Sequence, residues 1–136
     1  MAVRILIADD DVSIRHLLRR ILEERRGWEV CGEASNGNDA VIKTEQLAPD
    51  LAIIDLAMPE KNGVEAAREI FATSSSTAML LLTVQEVSAE LARAARDAGF
   101  RGAVTKGSGR EIVMAVETLL GKGTFFDVER PASPLF

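Results

Sequence analysis

The 136-residue chain has little of what usually marks a specialised chemistry or compartment. It holds one cysteine, Cys31, and one histidine, His16. A lone cysteine cannot close an internal disulfide, so nothing calls for an oxidising compartment. Cys31 lies in the apolar run from Trp28, where a buried, inert thiol is expected. His16, on the first helix near an acidic cluster, reads as a solvated helix residue rather than a contact to that cluster. Basic residues are in deficit, with 16 Lys and Arg against 21 Asp and Glu and a net charge of −5. Neutralising a phosphate backbone needs the opposite balance, so no direct nucleic-acid binding is expected. No apolar run approaches membrane-spanning length. Met1-Ala2-Val3-Arg4 leads straight into a strand-like segment without a charged leader and long apolar stretch, so no signal peptide is expected. Internal repeats and low-complexity tracts are also missing. The expected location is the cytoplasm, away from membranes.

What is present is the composition of one soluble globular domain, 47% hydrophobic and 27% charged. Short apolar runs alternate with helical patterns, which predicts βα units on a parallel sheet. Val3 to Ala8 is apolar except for Arg4 and suits a strand buried on both faces. Ile14, Leu17, Leu18, Ile21 and Leu22 then recur at helical spacing, with Asp11 or Ser13 as cap and Gly27 past the end. Arg15, Arg19, Arg20, Arg25 and Arg26 read as a solvated face. Trp28 to Ala34 predicts a second strand, with Trp28 at its rim, and Ala40 to Leu47 a second helix stopped by Pro49. Leu51 to Ile54 predicts a third strand ending at Asp55. Val64, Ala67, Ile70 and Phe71 mark a third helix, Ala78 to Leu82 a fourth strand and Val87 to Ala98 a fourth helix. Gly102 to Thr105 gives a fifth strand, and Ile112, Val113, Val116, Leu119 and Leu120 a fifth helix. The prediction is a domain over residues 1–120. Residues 121–136, with Pro131 and Pro134 and no periodicity, read as a C-terminal tail or linker.

The informative residues stand at the ends of the apolar runs. The first run ends in Asp9-Asp10-Asp11, the third in Asp55, the fourth in Thr83 and the fifth in Thr105-Lys106. Right-handed crossovers bring strand ends to one edge of an open α/β sheet, and ligands bind at that edge. Several carboxylates, a hydroxyl and an ammonium would meet there. Crowded carboxylates repel unless a cation intervenes. A hard divalent ion with oxygen ligands fits, and Mg2+ best, since it needs few carboxylates and keeps its waters. Acceptor carboxylate, metal, fixed positive charge and hydroxyl are the parts needed to hold a transferring phosphoryl group.

These residues resemble the response-regulator receiver domain of two-component signalling, and the likeness spans Val3 to Leu120. Ile5-Leu6-Ile7-Ala8-Asp9-Asp10-Asp11 is similar to that family's acidic segment. Pro49 to Pro59, followed by Gly63, is similar to its phosphorylation segment. Leu82-Thr83 and Ala103-Val104-Thr105-Lys106 match its strand-end hydroxyl and lysine. The resemblance implies a flavodoxin-like (βα)5 doubly wound parallel sheet of strand order 2-1-3-4-5. It implies phosphoryl transfer to Asp55 from a sensor histidine kinase or histidine phosphotransferase. Asp9, Asp10, Asp55 and the main-chain carbonyl of Ala57 would hold Mg2+, and Thr83 and Lys106 would contact the phosphoryl oxygens. Ala57 and Gln85 would tune the lifetime of the acyl phosphate. Output, and a homodimer, would use the fourth helix, fifth strand and fifth helix. Such a domain catalyses only its own phosphorylation and dephosphorylation.

Two departures stand out. Gly107 follows Lys106 where the family usually has proline. Lys106-Gly107-Ser108 and Gly121-Lys122-Gly123-Thr124-Phe125-Phe126 resemble receivers that precede a helix-turn-helix domain, so the chain reads as a freestanding receiver or a piece of a longer transcription regulator. Ala103 stands where many members carry an aromatic residue whose rotation accompanies the switch. Two other functions fit parts of the sequence. Asp9-Asp10-Asp11 is also similar to haloacid-dehalogenase-type phosphatases, with Asp9 as nucleophile and Asp11 as acid, but Asp97 stands alone before Gly99 where that family has a late metal motif. A pseudo-receiver scaffold would keep the fold without phosphorylation, yet acceptor, acidic pair, hydroxyl and lysine are all present.

Overall fold

The computed structural model describes residues 2–126 and Val128. Its elements run β1 (Val3–Ala8), α1 (Val12–Glu23), β2 (Trp28–Ala34), α2 (Gly37–Leu47), β3 (Leu51–Asp55), α3 (Gly63–Thr73), β4 (Ala78–Thr83), α4 (Ala89–Asp97), β5 (Gly102–Thr105), α5 (Gly109–Leu120) and β6 (Phe125–Phe126). The sheet is parallel throughout, in the order β2-β1-β3-β4-β5-β6.

Alternation along the apolar runs builds a core on each face of the sheet. Leu6 and Ala8, Ala52 and Ile54, and Met79 and Leu81 face one way and meet Ala40 of α2, Ala67 and Ile70 of α3, and Ala92 and Ala95 of α4. Ile5 and Ile7, Leu51 and Ile53, and Leu80 and Leu82 face the other way and meet Leu18 and Leu22 of α1 and Ile112, Val116 and Leu119 of α5. Strands buried on both faces need every position apolar, so their sequences read as unbroken runs.

Caps set where the helices begin. The Asp11 side chain accepts from the Ser13 and Ile14 amides, so Asp11 is the cap of α1 and Ser13 lies inside the first turn. Asn36 caps α2 and moves its start from Ala40 to Gly37. Ser88 caps α4, leaving Val87 in the preceding loop as a buried core residue. Asn62 and Glu65 form a reciprocal capping box on α3.

Several expectations are corrected. Leu17 and Phe71, assigned to inner helix faces by spacing, are half-exposed at 49% and 51%. Cys31 is half-buried rather than enclosed, and burial still raises its thiol pKa. Arg15, Arg19 and Arg25 are not simply solvated. Arg15 and Arg19 both pair with Glu33, and Arg25 pairs with Glu117 while lying over the Trp28 ring. Phe125 and Phe126 belong to the sheet, where a tail was expected. Gly102 pairs with Phe125 and Ala103 with Phe126. A Cβ on Gly102 would stand 2.7 Å from the Phe125 carbonyl oxygen, so glycine admits this strand. Phe126 packs against the core that contains the fully buried Ala103, and the Arg96 guanidinium lies 4.2 Å from its ring centroid. Val128 bridges to Val87. Within the expected tail, Asp127 and residues 129–136 lie outside the described residues.

Candidate functional site

The carboxyl ends of β1, β3, β4 and β5 meet at one edge of the sheet, where β1 leads outward to β2 on one side and neighbours β3 on the other. That change of direction is where open α/β sheets hold ligands. Asp9 follows β1 directly and is fully buried, and Asp10 beside it is exposed. Asp55 is the last residue of β3 and only 3% exposed. Carboxylate oxygens of Asp9, Asp10 and Asp55 lie within 4.8 Å of one another.

Lys106, just past β5, reaches into this cluster. Its ammonium is 2.7 Å from Asp9 Oδ2 and 3.2 Å from Asp55 Oδ1. Asp9 Oδ2 is the one buried side-chain oxygen or nitrogen among the described residues with no directed hydrogen bond. The other oxygen, Oδ1, accepts from the Asp11 amide at 2.9 Å. Burial pushes the Asp55 pKa up to about 6, Asp9 adds repulsion, and Lys106 offsets only part of this. Lys106 itself is desolvated, but Asp9 and Asp55 together outweigh that and raise its pKa. The unequal outcome follows from sharing, since one ammonium serves two buried carboxylates.

Three carboxylates against one ammonium leave negative charge in a partly dry place. The donors are all oxygen, and the Lys106 ammonium is shared between two of the carboxylates. A hard divalent cation fits that donor set, while thiolate- or imidazole-seeking metals find nothing here.

Thr83 ends β4, is 2% exposed, and its hydroxyl oxygen accepts from the Gln85 amide at 3.3 Å. The Thr83 carbonyl accepts from the Lys106 amide at 2.9 Å, so hydroxyl and lysine sit on hydrogen-bonded neighbouring backbones. Ala57 and Gln85 are exposed in the loops after β3 and β4. Met58, assigned no chemistry, is buried and anchors the loop after Asp55 in the core. Gly63 has a steric reason, because a Cβ there would lie 2.3 Å from the Asp55 carbonyl oxygen. His16 is exposed on α1. A groove of about 480 Å³ between α1 and α5, lined by Ile21, Arg25, Val113 and Met114, contains none of the strand-end residues.

The structure thus brings together Asp9, Asp10, Asp55 and Lys106 and places Thr83 on the adjoining strand. Sequence reasoning missed Arg15, whose Nη1 donates to the Asp9 carbonyl at 2.7 Å. Its place on the polar face of α1 gave no signal to set it apart from a solvated arginine.

Residues 5–117 match the family described as the response regulator receiver domain. The chain is 35% identical to the response regulator UvrY of Escherichia coli over 118 residues, covering 86% of this chain and 54% of UvrY. It is 46% identical to the chemotaxis protein CheY of Thermotoga maritima over 70 residues, covering 52% of this chain and 58% of CheY. A LuxR-family two-component response regulator from Aurantimonas sp. SI85-9A1 superposes with a TM-score of 0.87 at 32% identity, covering 92% of this chain and 89% of that structure. These matches span little more than half the length of the two curated relatives.

Proposed function

The chain belongs to the response regulator receiver domain family, and from that premise we propose that it is a phosphorylation switch whose acceptor is Asp55. One observation carries the proposal most directly. Lys106 places a cation between the buried carboxylates of Asp9 and Asp55, beside the exposed carboxylate of Asp10. Burying like charges costs stability, and a fold gains nothing from it unless the charge is used.

With a pKa of about 6, the Asp55 carboxylate is ionised at neutral pH and ready as a nucleophile. One of its oxygens attacks the phosphorus of a phosphohistidine on a sensor histidine kinase or histidine phosphotransferase. The O–P bond forms as the N–P bond breaks, and the imidazole leaves, taking a proton from solvent. Asp9, Asp10, Asp55 and the Ala57 carbonyl would hold Mg2+, which when bound neutralises charge on the phosphoryl oxygens. The Lys106 ammonium transfers its Asp55 contact to a phosphoryl oxygen. Thr83 donates its hydroxyl to another, and the hydroxyl oxygen, which accepts from the Gln85 amide, carries the movement into the following loop. That exchange gives the phosphorylated state the differential contact a population shift requires.

The signal then leaves through the loop at residues 84–88 and the α4–β5–α5 face, with β6 forming the outer edge beyond β5. A phosphorylation-dependent homodimer would use the same face. The domain turns over no substrate beyond its own acyl phosphate, works in the cytoplasm, binds neither membrane nor nucleic acid, and passes its state to an output domain or partner in transcription regulation.

Calorimetric titration with Mg2+ tests the site. Weak, direct binding is expected, and Asp10→Ala should remove most of it; binding equal to wild type would take Asp10 out of the ligand set. Phosphoryl lifetime is set by the water path past Ala57 and Gln85. Gln85 orients a water but cannot act as a base, and Ala57 leaves the path open. Gln85→Ala and a large side chain at Ala57 should each slow phosphate loss. Time courses matching wild type for both would place the gate elsewhere.

A further inference from the structure

The acidic loop after β1 is braced from below by a chain of charges on α1 and β2. Arg15 donates from Nη1 to the Asp9 carbonyl at 2.7 Å and from Nε to Glu33 Oε1 at 2.9 Å. Glu33 is held from its other oxygen by Arg19, through Nε at 3.0 Å and Nη2 at 2.7 Å. The Arg15 and Glu33 side chains are 16% and 24% exposed, so the pair is partly shielded from water. Burial alone would raise the Glu33 pKa, but the two arginines more than reverse it and hold the carboxylate ionised.

The backbone of Asp9 is therefore fixed on both sides. Its amide donates to the Ala34 carbonyl at 2.9 Å, and its own carbonyl accepts from Arg15. The Asp9 carbonyl belongs to the peptide that joins Asp9 to Asp10, so fixing it fixes where the Asp10 side chain departs. Among the described residues no hydrogen bond or ion pair holds the Asp10 carboxylate itself. Its place within 4.8 Å of the other carboxylates rests on the backbone that carries it.

We propose that Arg15, locked by Glu33, is a positioning residue for the cation site: it holds the Asp9–Asp10 peptide so that the Asp10 carboxylate faces the metal. The inference rests on the reading of Asp9, Asp10 and Asp55 as that site. Two effects of opposite sign separate it from a role through charge alone. A guanidinium near a cation site repels the cation, so a charge-only Arg15 weakens metal binding, and its removal tightens it. Glu33, 2.9 Å away, offsets much of that field, and Arg19, which shares Glu33, is itself 3.7 Å from Glu23. Positioning then dominates, and removal loosens binding.

The test is Mg2+ titration of the full chain by calorimetry, for wild type, Arg15→Ala and Arg15→Lys, with amide spectra of each variant to confirm the fold. Arg15→Ala should weaken Mg2+ binding about tenfold, the range seen when a group orienting a metal ligand is removed. Arg15→Lys keeps the charge, but an ammonium cannot span the Asp9 carbonyl and Glu33 as the planar fork does. It should therefore show a similar loss, and being the milder change it serves if the alanine variant does not fold. Binding as tight as or tighter than wild type in Arg15→Ala, or wild-type binding in Arg15→Lys, overturns the inference. A wild-type chain that binds no Mg2+ fails at the earlier step, the cation site itself.

Discussion

Asp55 is an acid whose folded environment disfavours its charge, and its protonation equilibrium makes this measurable. Its pKa of about 6 lies above the ordinary 3.8. Between those values the native state binds more protons than the unfolded state, so stability falls as pH rises through about 4 to 6 and levels off above. In the presence of a chelator, Asp55→Asn should be more stable than wild type at pH 7 by about 1 to 3 kcal/mol. The difference should vanish below about pH 4, where Asp55 is protonated in both states. Urea unfolding across that range checks it, and an asparagine variant less stable at pH 7 would contradict it. Lys106 predicts the opposite sign. Lys106→Ala leaves Asp9 Oδ2 buried without its counter-charge and should cost about 1 to 3 kcal/mol in the same assay. Unchanged stability would mean the ammonium is not holding the pair. These residues were legible in the sequence because each ends an apolar run, and strand ends of a parallel sheet converge. Arg15 was not, because a charged residue on the polar face of an amphipathic helix looks the same whether it is solvated or turned back onto a carbonyl.

Among the elements, those with long periodic runs or clear caps were foreseen, and the departures have local causes. Asn36 and Ser88 moved the starts of α2 and α4 because a side-chain cap outweighs the first apolar position. Leu17 and Phe71 fit the helical period but fall at the edge of the apolar stripe. β6 had no signal of its own. It is two residues long, and what admits it, the missing Cβ of Gly102, lies far back in the chain. Its weight is in packing, since Phe126 covers the core beside Ala103 and stacks with Arg96. Phe126→Ala should destabilise the domain by about 1 to 3 kcal/mol, the cost of removing a partly buried ring and its cation partner. A midpoint of urea unfolding equal to wild type would show that β6 adds nothing to stability. The chain just beyond β6 bears on the proposed switch. Val128 pairs with Val87, the last residue before the cap of α4, so the end of the described chain touches the loop that follows Thr83.

At the scale of the molecule, one sheet with a core on each face carries the charged edge, and the loop after β4 and α4 reach the end of the described chain through the Val87–Val128 bridge and the Arg96–Phe126 contact. Binding of beryllofluoride with Mg2+ should shift amide resonances at Thr83, residues 84–92, Lys106 and Phe126. Shifts confined to α2 and α3 would place the output on the other side. Sedimentation with and without beryllofluoride should show dimer formation only with it if that face is also the dimer interface, and an unchanged monomer would limit the face to other partners. All of this depends on Asp55 accepting phosphate. The direct measurement is the intact mass of the chain after incubation with acetyl phosphate and Mg2+. The expected result is a gain of a single phosphoryl group, lost on treatment with hydroxylamine and absent in Asp55→Asn. Full phosphorylation of Asp55→Asn, or none of wild type, would contradict it.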